Sequence, residues 1–159
     1  MITILEGVDG TGKSSHAAWL AKEQNARIIH AGVPTHSHWF DEYIKPIVDA
    51  EEEENLILDR WHMGEMIWPT IFNRPSLYKR PESFQLCNAM IEELGARLIL
   101  VYRDIDAIST TLMLRGEQDQ IDNVIRAQSM FIDLADRMDN VEIINSNDLE
   151  RDLPDVPRT

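Results

Sequence analysis

Residues 7–14 read GVDGTGKS and constrain the fold of this chain more than any other stretch. They match the spacing G-x-x-x-x-G-K-[ST], which forms a phosphate-binding loop when a strand precedes it and a helix follows. The apolar residues 2–5 predict that strand, and the spacing of Ala17, Leu20 and Ala21 predicts the helix. Glycines let successive backbone N–H groups point at phosphate oxygens, and the helix adds the positive end of its dipole. The sequence therefore predicts a nucleoside-triphosphate-binding enzyme rather than a glycine-rich turn with a chance lysine.

Two side chains inside this loop are candidates to hold the phosphates and a metal ion. Lys13 can reach the β- and γ-phosphates of a bound triphosphate, and the hydroxyl of Ser14 can bind Mg²⁺. We expect Lys13 to lie in an exposed loop. The loop thus predicts a triphosphate ligand accompanied by Mg²⁺.

The composition indicates one compact domain that does not bind nucleic acid. The chain has 159 residues, a net charge of −13 and a hydrophobic content of 43%, so a single domain over residues 1–159 is expected. An acidic surface repels nucleic acid, whereas a few basic residues near motif ends suit a small anionic ligand. No apolar run is long enough to cross a membrane.

The N-terminus and the cysteine content favour a cytoplasmic protein. The first residues lack the basic region and the long apolar stretch of a signal sequence. Cys87 is the only cysteine, which excludes an intrachain disulfide and a cysteine metal site. We interpret Cys87 as a buried thiol on a helix.

Strand and helix patterns alternate along the chain, which is typical of an α/β fold with a parallel sheet. Apolar runs predict strands, and apolar positions at helical spacing predict helices. The predicted strands are residues 2–5, 27–30, 56–60, 98–102 and 141–144. The predicted helices after the first are residues 36–49, 63–72, 81–94, 105–112 and 121–138. The order implies a five-stranded parallel sheet with helices on both faces, followed from Asp152 by a loosely held tail.

A charged pair, Asp59 and Arg60, ends the third predicted strand. The carboxyl ends of parallel strands form the edge at which α/β proteins bind ligands. The guanidinium group of Arg60 suits bidentate phosphate binding because it is planar and always charged. The alternative is an ion pair at a strand end without a ligand.

Four stretches resemble the thymidylate kinases, a family of nucleoside-monophosphate kinases. Residues 5–15, LEGVDGTGKSS, are similar to the opening of that family, and residues 58–60 to its Asp-Arg motif. Residues 100–106 resemble its fourth strand, and residues 115–122 its lid. The resemblance implies a P-loop kinase fold and ATP-dependent, Mg²⁺-dependent phosphorylation of a deoxynucleoside monophosphate, usually dTMP to dTDP. Thymidylate kinases are commonly dimers, so the resemblance also implies a homodimer.

The resemblance also implies a role for individual residues. Asp9 would contact the acceptor's sugar hydroxyl, and Arg60 would hold its phosphate. Asp59 would lie near the metal together with Ser14, and Arg115 would close over the transferring group in a short lid around residues 115–120. The implied catalytic residues are Lys13, Asp59, Arg60 and Arg115. The implied ATP-binding residues are Gly7, Asp9, Gly10, Thr11, Gly12, Lys13, Ser14 and Ser15.

The chain also departs from the family around the acceptor base. An Arg-Glu-Pro stretch is expected after the second strand, but residues 31–35 read AGVPT. Phe40 is a candidate to stack on the base, beside Trp39. Arg74 is a candidate to supply the missing positive charge, together with Lys79 and Arg80; the alternative is an exposed basic loop.

The remaining candidates have a commoner structural interpretation. His36 and His38 are expected at the surface, and the acidic run 51–54 is expected to be solvated rather than metal-binding. Arg126 is expected to face solvent. His62 follows the Asp-Arg motif and is a candidate substrate contact. Three aromatic residues are expected in the core rather than under a base: Trp61, Trp68 and Phe72.

Two other functions remain open at the level of the sequence. A nucleoside kinase would phosphorylate a neutral hydroxyl and would need a carboxylate base, for which Asp59 or Glu65 could serve. An accessory protein would bind or hydrolyse ATP without an acceptor.

Overall fold

A five-stranded parallel sheet forms the centre of the molecule, in a computed structural model that describes residues 1–50 and 52–149. The strands lie in the spatial order β2-β3-β1-β4-β5, and every neighbouring pair is parallel. Their bounds are β1 Ile2–Glu6, β2 Arg27–His30, β3 Leu56–Asp59, β4 Arg97–Tyr102 and β5 Val141–Asn145. The predicted α/β fold class and its five-stranded parallel sheet are confirmed.

The helices connect these strands in the predicted order. Their bounds are α1 Lys13–Gln24, α2 Lys45–Val48, α3 Gly64–Ile71, α4 Pro81–Glu93, α5 Ile105–Leu114, α6 Ile121–Ala135 and α7 Ser146–Leu149. A 3₁₀ turn, Gln118–Gln120, precedes α6. None of the helices in the described part of the chain is long and apolar enough to cross a membrane. The predicted loose tail from Asp152 lies outside the described residues.

The helix predicted over residues 36–49 differs from the structure. A π-helix, Phe40–Ile44, leads directly into the short α2. Pro46 has no N–H group to donate to the carbonyl of Glu42, so one ordinary helical hydrogen bond cannot form there. The N–H of Lys45 instead donates to the carbonyl of Phe40, which widens the turn.

Alternating strand residues give the sheet two apolar faces. Leu5, Ile57, Ile99 and Val101 form one cluster with α1, while Ile4, Leu58 and Leu100 belong to a larger cluster with the other helices.

The predicted buried thiol of Cys87 is confirmed on α4. Leu94, predicted in the stripe of that helix, is 37% exposed and follows the last residue of α4.

The strand order reverses at β1, whose neighbours are β3 and β4. The phosphate loop runs from the carboxyl end of β1 to α1, at the point where a doubly wound sheet opens a crevice. The carboxyl ends of β2 and β3 bring His30 and Asp59 to the same edge, where they face each other in the strand register. The fold therefore gathers residues that are distant in sequence around the loop.

Gly7 is the position at which the first turn of this loop depends on glycine. Its φ is +137°, and a Cβ atom built there would lie 2.3 Å from the carbonyl oxygen of Val101. The close approach of two backbones leaves no room for a side chain.

We predict that Gly7→Ala lowers the free energy of unfolding by about 3 kcal/mol, because both the backbone conformation and the contact with Val101 become strained. Urea denaturation followed by circular dichroism measures the change. Gly32→Ala is the control: a Cβ there meets nothing within 4 Å, and the change should stay within about 0.5 kcal/mol. Equal stability of the two variants would contradict the steric argument.

Candidate active site

The phosphate loop has the backbone geometry of an anion site. Gly10 and Gly12 have φ values of +83° and +80°, and the Thr11 hydroxyl donates to the carbonyl of Val8 at 2.9 Å. Gly12 precedes α1 and has no side chain to cap the helix, so the first N–H groups of α1 remain available to a ligand. The loop can therefore bind phosphate oxygens through its backbone.

Lys13 and Asp59 form a buried ion pair beside this loop. The Lys13 ammonium donates to one Asp59 oxygen, while the second oxygen lies 3.0 Å from His30 Nδ1 and 3.3 Å from Ser14 Oγ. Lys13 is only 4% exposed, so the prediction of an exposed loop position was wrong. The carboxylate of Asp59 offsets the cost of burying the Lys13 ammonium group.

The charge state of Asp59 follows from these contacts. Burial raises the pKa of its carboxyl group, but the neighbouring Lys13 ammonium and the hydrogen bonds from Lys13 and His30 more than offset this, so the pKa lies below its usual value. Asp59 is therefore ionised at neutral pH.

Ser14 and Asp59 present oxygen ligands of the kind that Mg²⁺ takes. Mg²⁺ is commonly held by one or two protein oxygens together with water and substrate phosphates. Residues 1–50 and 52–149 contain no group of three or more histidine, cysteine or acidic side chains that could form a protein-only metal cage. A hydroxyl beside an ionised carboxylate at a phosphate loop fits a phosphate-assisted Mg²⁺ site.

Asp9 and Arg60 form a second ion pair at the mouth of the site. Arg60 directly follows β3 and has a φ of +62°, a left-handed conformation that is costly for a residue with a side chain. Its N–H donates to the carbonyl of Leu5, which ties the turn to β1. The structure thus brings together two residues that the sequence assigned to one acceptor molecule.

A cleft of about 270 Å³ opens next to Arg60. Trp68 and Phe72 stack on each other in it, with ring centroids 5.7 Å apart and ring planes inclined by 21°. The side chains that give the cleft its chemistry are those of Tyr43, Arg60, Glu65, Trp68, Phe72 and Arg74. It combines an aromatic wall with two guanidinium groups.

Arg74 is held in this cleft by a buried carboxylate. Its Nη1 and Nη2 donate to the two oxygens of Glu65 at 3.1 and 2.8 Å, and the N–H of Leu77 donates to the same carboxylate at 2.7 Å. The Glu65 side chain is 1% exposed and that of Arg74 is 23% exposed. The basic-loop interpretation therefore does not describe Arg74, whose guanidinium group is fixed and faces the cleft.

The aromatic residues after the Asp-Arg motif divide between core and cleft. Trp61 is buried as predicted, and its indole N–H donates to the carbonyl of Tyr43 at 3.0 Å. Phe72 is 54% exposed, so its prediction as a core residue was wrong, and Trp68 is half-buried against it. The spacing of four residues on one helix was a signal that the two rings share a face.

Glu6 and Arg103 are two charged residues of the site that sequence reasoning missed. Glu6 is the last residue of β1, is fully buried, and accepts a hydrogen bond from the N–H of Met63 at 2.8 Å. Burial raises its pKa to about 7, although backbone N–H groups and Lys13 oppose the shift. Arg103 follows β4, and its guanidinium group donates to the carbonyl of Gly10 at 3.3 Å. Both stand at carboxyl ends of parallel strands, which was the available signal.

Other candidates lie outside the cleft. Phe40 is 37% exposed and packs edge-to-face on Trp39, and Arg115 is exposed at the end of α5. Lys79 and Arg80 are exposed as well, and Arg126 is exposed as predicted. The proposed contacts of Phe40, Arg115, Lys79 and Arg80 with substrates remain predictions.

Three of the histidines and the acidic run lie in the core or at the surface, away from the cleft. His62 is fully buried, stacks on Phe84 and bonds to Asn88, so it is a core residue, and burial lowers its pKa to about 4. His36 and His38 are exposed as predicted. In the acidic run, Glu52 and Glu53 are exposed and Glu54 pairs with Arg27; Glu51 lies outside the described residues.

No family model matches the sequence, and no curated protein sequence matches it either. Solved structures do match. YorR from Bacillus subtilis, solved in complex with phosphorylated GDP, has a TM-score of 0.73 and 21% identity, covering 96% of this chain and 92% of its own.

Two further structures are similar at lower scores. Thymidylate kinase from Candida albicans has a TM-score of 0.54 at 13% identity, covering 94% of this chain and 89% of its own. Deoxyadenosine kinase from M.mycoides with bound dATP has a TM-score of 0.52 at 14% identity, covering 92% of both chains. The fold is that of the P-loop kinases. At these identities the similarity defines the fold and leaves the substrate open.

We predict that the ionisation of Glu6 costs folding free energy. Its pKa is about 7 in the folded protein and 4.5 in a model compound, so its contribution to stability is present below pH 4.5 and is lost as the pH rises through 7. Relative to Glu6→Gln, which cannot ionise, the wild type should lose on the order of 3 kcal/mol between pH 4.5 and 8. Urea denaturation at a series of pH values measures the difference, in which all other titrations cancel. A difference that does not change with pH would contradict the prediction.

Proposed function

We propose that this chain is an ATP-dependent kinase that phosphorylates a deoxynucleoside monophosphate, with dTMP as the expected acceptor. The observation that carries the proposal is the arrangement of cations at one edge of the sheet. Lys13 lies in the phosphate loop, and Arg60 and Arg74 line the adjoining cleft. Two anionic substrates can therefore meet between them.

The donor phosphates would lie on the loop. The backbone N–H groups of residues 7–15 would surround the β- and γ-phosphates, and Lys13 would leave Asp59 to bind their oxygens. Ser14 and Asp59 would hold Mg²⁺, which when bound neutralises charge on these phosphates. His30, hydrogen-bonded to Asp59, would keep that carboxylate oriented after Lys13 has left.

The acceptor phosphate would replace Asp9 as the partner of Arg60. Phosphoryl transfer forms a bond from an acceptor phosphate oxygen to the γ-phosphorus while the bond from that phosphorus to the β-phosphate oxygen breaks. The acceptor oxygen is already anionic, so the reaction needs alignment and positive charge rather than a strong general base. Asp9, released from Arg60, would be free to accept a hydrogen bond from the sugar hydroxyl, and Arg115 would close the lid of residues 115–120.

The acceptor base would occupy the aromatic cleft. Trp68 and Phe72 offer ring faces for stacking, and Tyr43 belongs to the same lining. Arg74 can only donate hydrogen bonds, so it complements a carbonyl oxygen such as O4 of thymine better than the amino group of adenine or cytosine. This preference supports dTMP among the deoxynucleotides. YorR was solved with phosphorylated GDP, and guanine also carries a carbonyl oxygen, so guanine nucleotides belong in the same test.

The contacts of the two candidate bases favour an anionic acceptor over a neutral hydroxyl. A nucleoside kinase would need a carboxylate free to accept a proton. With the donor bound, the oxygens of Asp59 would face Mg²⁺ while keeping their contacts with Ser14 and His30. Those of Glu65 are bonded to Arg74 and Leu77. An accessory protein that only hydrolyses ATP would have no use for the two arginines, Arg60 and Arg74, that line the cleft.

A panel of acceptors tests the proposal. The protein is incubated with Mg-ATP and each of dTMP, dUMP, dGMP, GMP, dAMP and dCMP, and with thymidine and deoxyadenosine as neutral acceptors. We expect dTDP formation to be the fastest reaction, and ADP to accumulate only with an acceptor present. The proposal is wrong if no monophosphate is consumed at high enzyme concentration; phosphorylation of a nucleoside alone would instead support the nucleoside kinase.

We predict that Arg60→Ala raises the acceptor KM by about tenfold or more while the KM for ATP changes by less than about twofold. The reason is that Arg60 would bind the acceptor phosphate and not the donor. Steady-state kinetics with each substrate varied in turn separates the two constants. Arg97→Ala is the control, because Arg97 is a half-exposed arginine in an ion pair with Glu142 on β5. A change in the KM for ATP alone would show that Arg60 binds the donor and not the acceptor.

A further inference from the structure

Glu6 lies in buried surroundings that disfavour a charged side chain. The residue is fully buried at the end of β1, yet its side chain carries an ionisable carboxyl group. One oxygen, Oε1, accepts the hydrogen bond from Met63 N. The other, Oε2, finds no hydrogen-bond partner among the described residues. A buried and half-satisfied carboxylate weakens a fold, so its presence here needs a reason beyond stability.

The neighbours of Glu6 suggest that reason. Met63 is the residue before α3. Burial raises the pKa of the Glu6 carboxyl group, and the backbone N–H groups of Trp61, Met63 and Gly64 oppose that shift. Met63 provides no side-chain cap of its own for the helix. A negative charge at a helix N-terminus satisfies free N–H groups and interacts favourably with the helix dipole. Glu6, at the end of β1, thus caps the N-terminus of α3.

The capped turn joins the two halves of the cleft. Arg60 lies directly before it, and α3 carries Glu65 and Trp68 on its first two turns. Gly64 is packed against the Trp68 ring, since a Cβ there would lie 3.1 Å from Cδ1 of that ring, and 3.8 Å from Glu6 Oε2. Any shift of this turn would therefore move the phosphate-binding arginine and the aromatic wall together.

We propose that Glu6 is a positioning residue for the acceptor, which acts through the N-terminal turn of α3 to hold Arg60 and Trp68 in their binding positions. The inference rests on the proposed function, since it assigns these two side chains to the acceptor. Glu6 itself does not touch the cleft, because it is fully buried behind the turn that lines it.

The charged and titratable groups facing Glu6 make its influence dependent on pH. Lys13 on α1 is the cation that acts on it. Tyr43 and Tyr78 also interact with its charge, but burial raises their pKa values, so both remain neutral. Protonation of Glu6 removes one lone pair that can accept a hydrogen bond, and it removes the negative charge that interacts with the turn. The acceptor nucleotide should therefore bind less well at a pH below the pKa of Glu6, which is about 7.

Kinetics of Glu6→Gln test the proposal, because glutamine has the same size but no charge. We expect the acceptor KM to rise about tenfold at pH 8, the effect of weakening a hydrogen bond to a charged group, with the KM for ATP within about twofold. The ratio of the two proteins' acceptor KM values should approach one at pH 6, where wild-type Glu6 is protonated. The titration of the acceptor phosphate affects both proteins and cancels in this ratio.

Two further variants show whether the length of the side chain at position 6 matters apart from its charge, and whether any mutation in β1 has the same effect. Glu6→Asp keeps the charge beside Lys13 but is one methylene too short to reach Met63 N, so it should impair the acceptor at least as much as Glu6→Gln. Thr3→Val is the matched control: Thr3 is a fully buried residue of β1 whose hydroxyl also finds no partner in the described part of the chain. It should leave both KM values unchanged.

Amide hydrogen exchange provides a readout that needs no substrate. The backbone amides of residues 61–64 should exchange about tenfold faster in both Glu6 variants and at the wild-type rate in Thr3→Val. If the amides of all four proteins exchange alike, or if only the ATP constant changes, the proposal is overturned. If the wild type phosphorylates no monophosphate, the proposed function fails, while faster exchange in the Glu6 variants would still establish the capping of α3.

Discussion

The buried ion pair between Lys13 and Asp59 is the interaction on which the rest of the site depends. It joins the phosphate loop to the end of β3, and through Asp59 it also reaches Ser14 and His30. The pair keeps Asp59 ionised in a buried position, where an unpaired carboxylate would be strongly disfavoured. A phosphate ligand would offer Lys13 a second anion, so Lys13 could exchange its contact with Asp59 for a contact with that ligand.

A parallel sheet makes this arrangement possible because all of its strands end at one edge. Glu6, His30, Asp59 and Arg103 come from, or directly follow, four different strands, and they meet around one loop. The phosphate loop and the aromatic cleft then lie on either side of the turn that carries Arg60. The Asp9–Arg60 pair bridges the two regions. The proposed donor and acceptor sites would thus be connected through ion pairs that a substrate anion could replace.

The site also contains several features that usually destabilise a folded protein. Gly7 approaches the Val101 carbonyl too closely for any side chain, and Arg60 has a left-handed backbone conformation. Glu6 is buried with one oxygen unsatisfied. Such strain persists only where surrounding structure enforces it, and it commonly marks positions that must be held in one geometry. Here the apolar clusters on both faces of the sheet supply the stability that allows these local costs.

The sequence by itself determined the α/β class, the strand order along the chain and the phosphate loop, because these depend on local periodicity and on a contiguous motif. It also identified Asp59 and Arg60, since a charged pair after a buried strand is a local signal. Tertiary structure alone decided that Lys13 is buried, that Phe72 faces a cleft with Trp68, and that Glu65 fixes Arg74. It alone brought Glu6 to the start of α3. Each of these depends on contacts between segments that are distant in sequence or on which face of a short helix is covered, and neither is encoded in the spacing of residues along one segment.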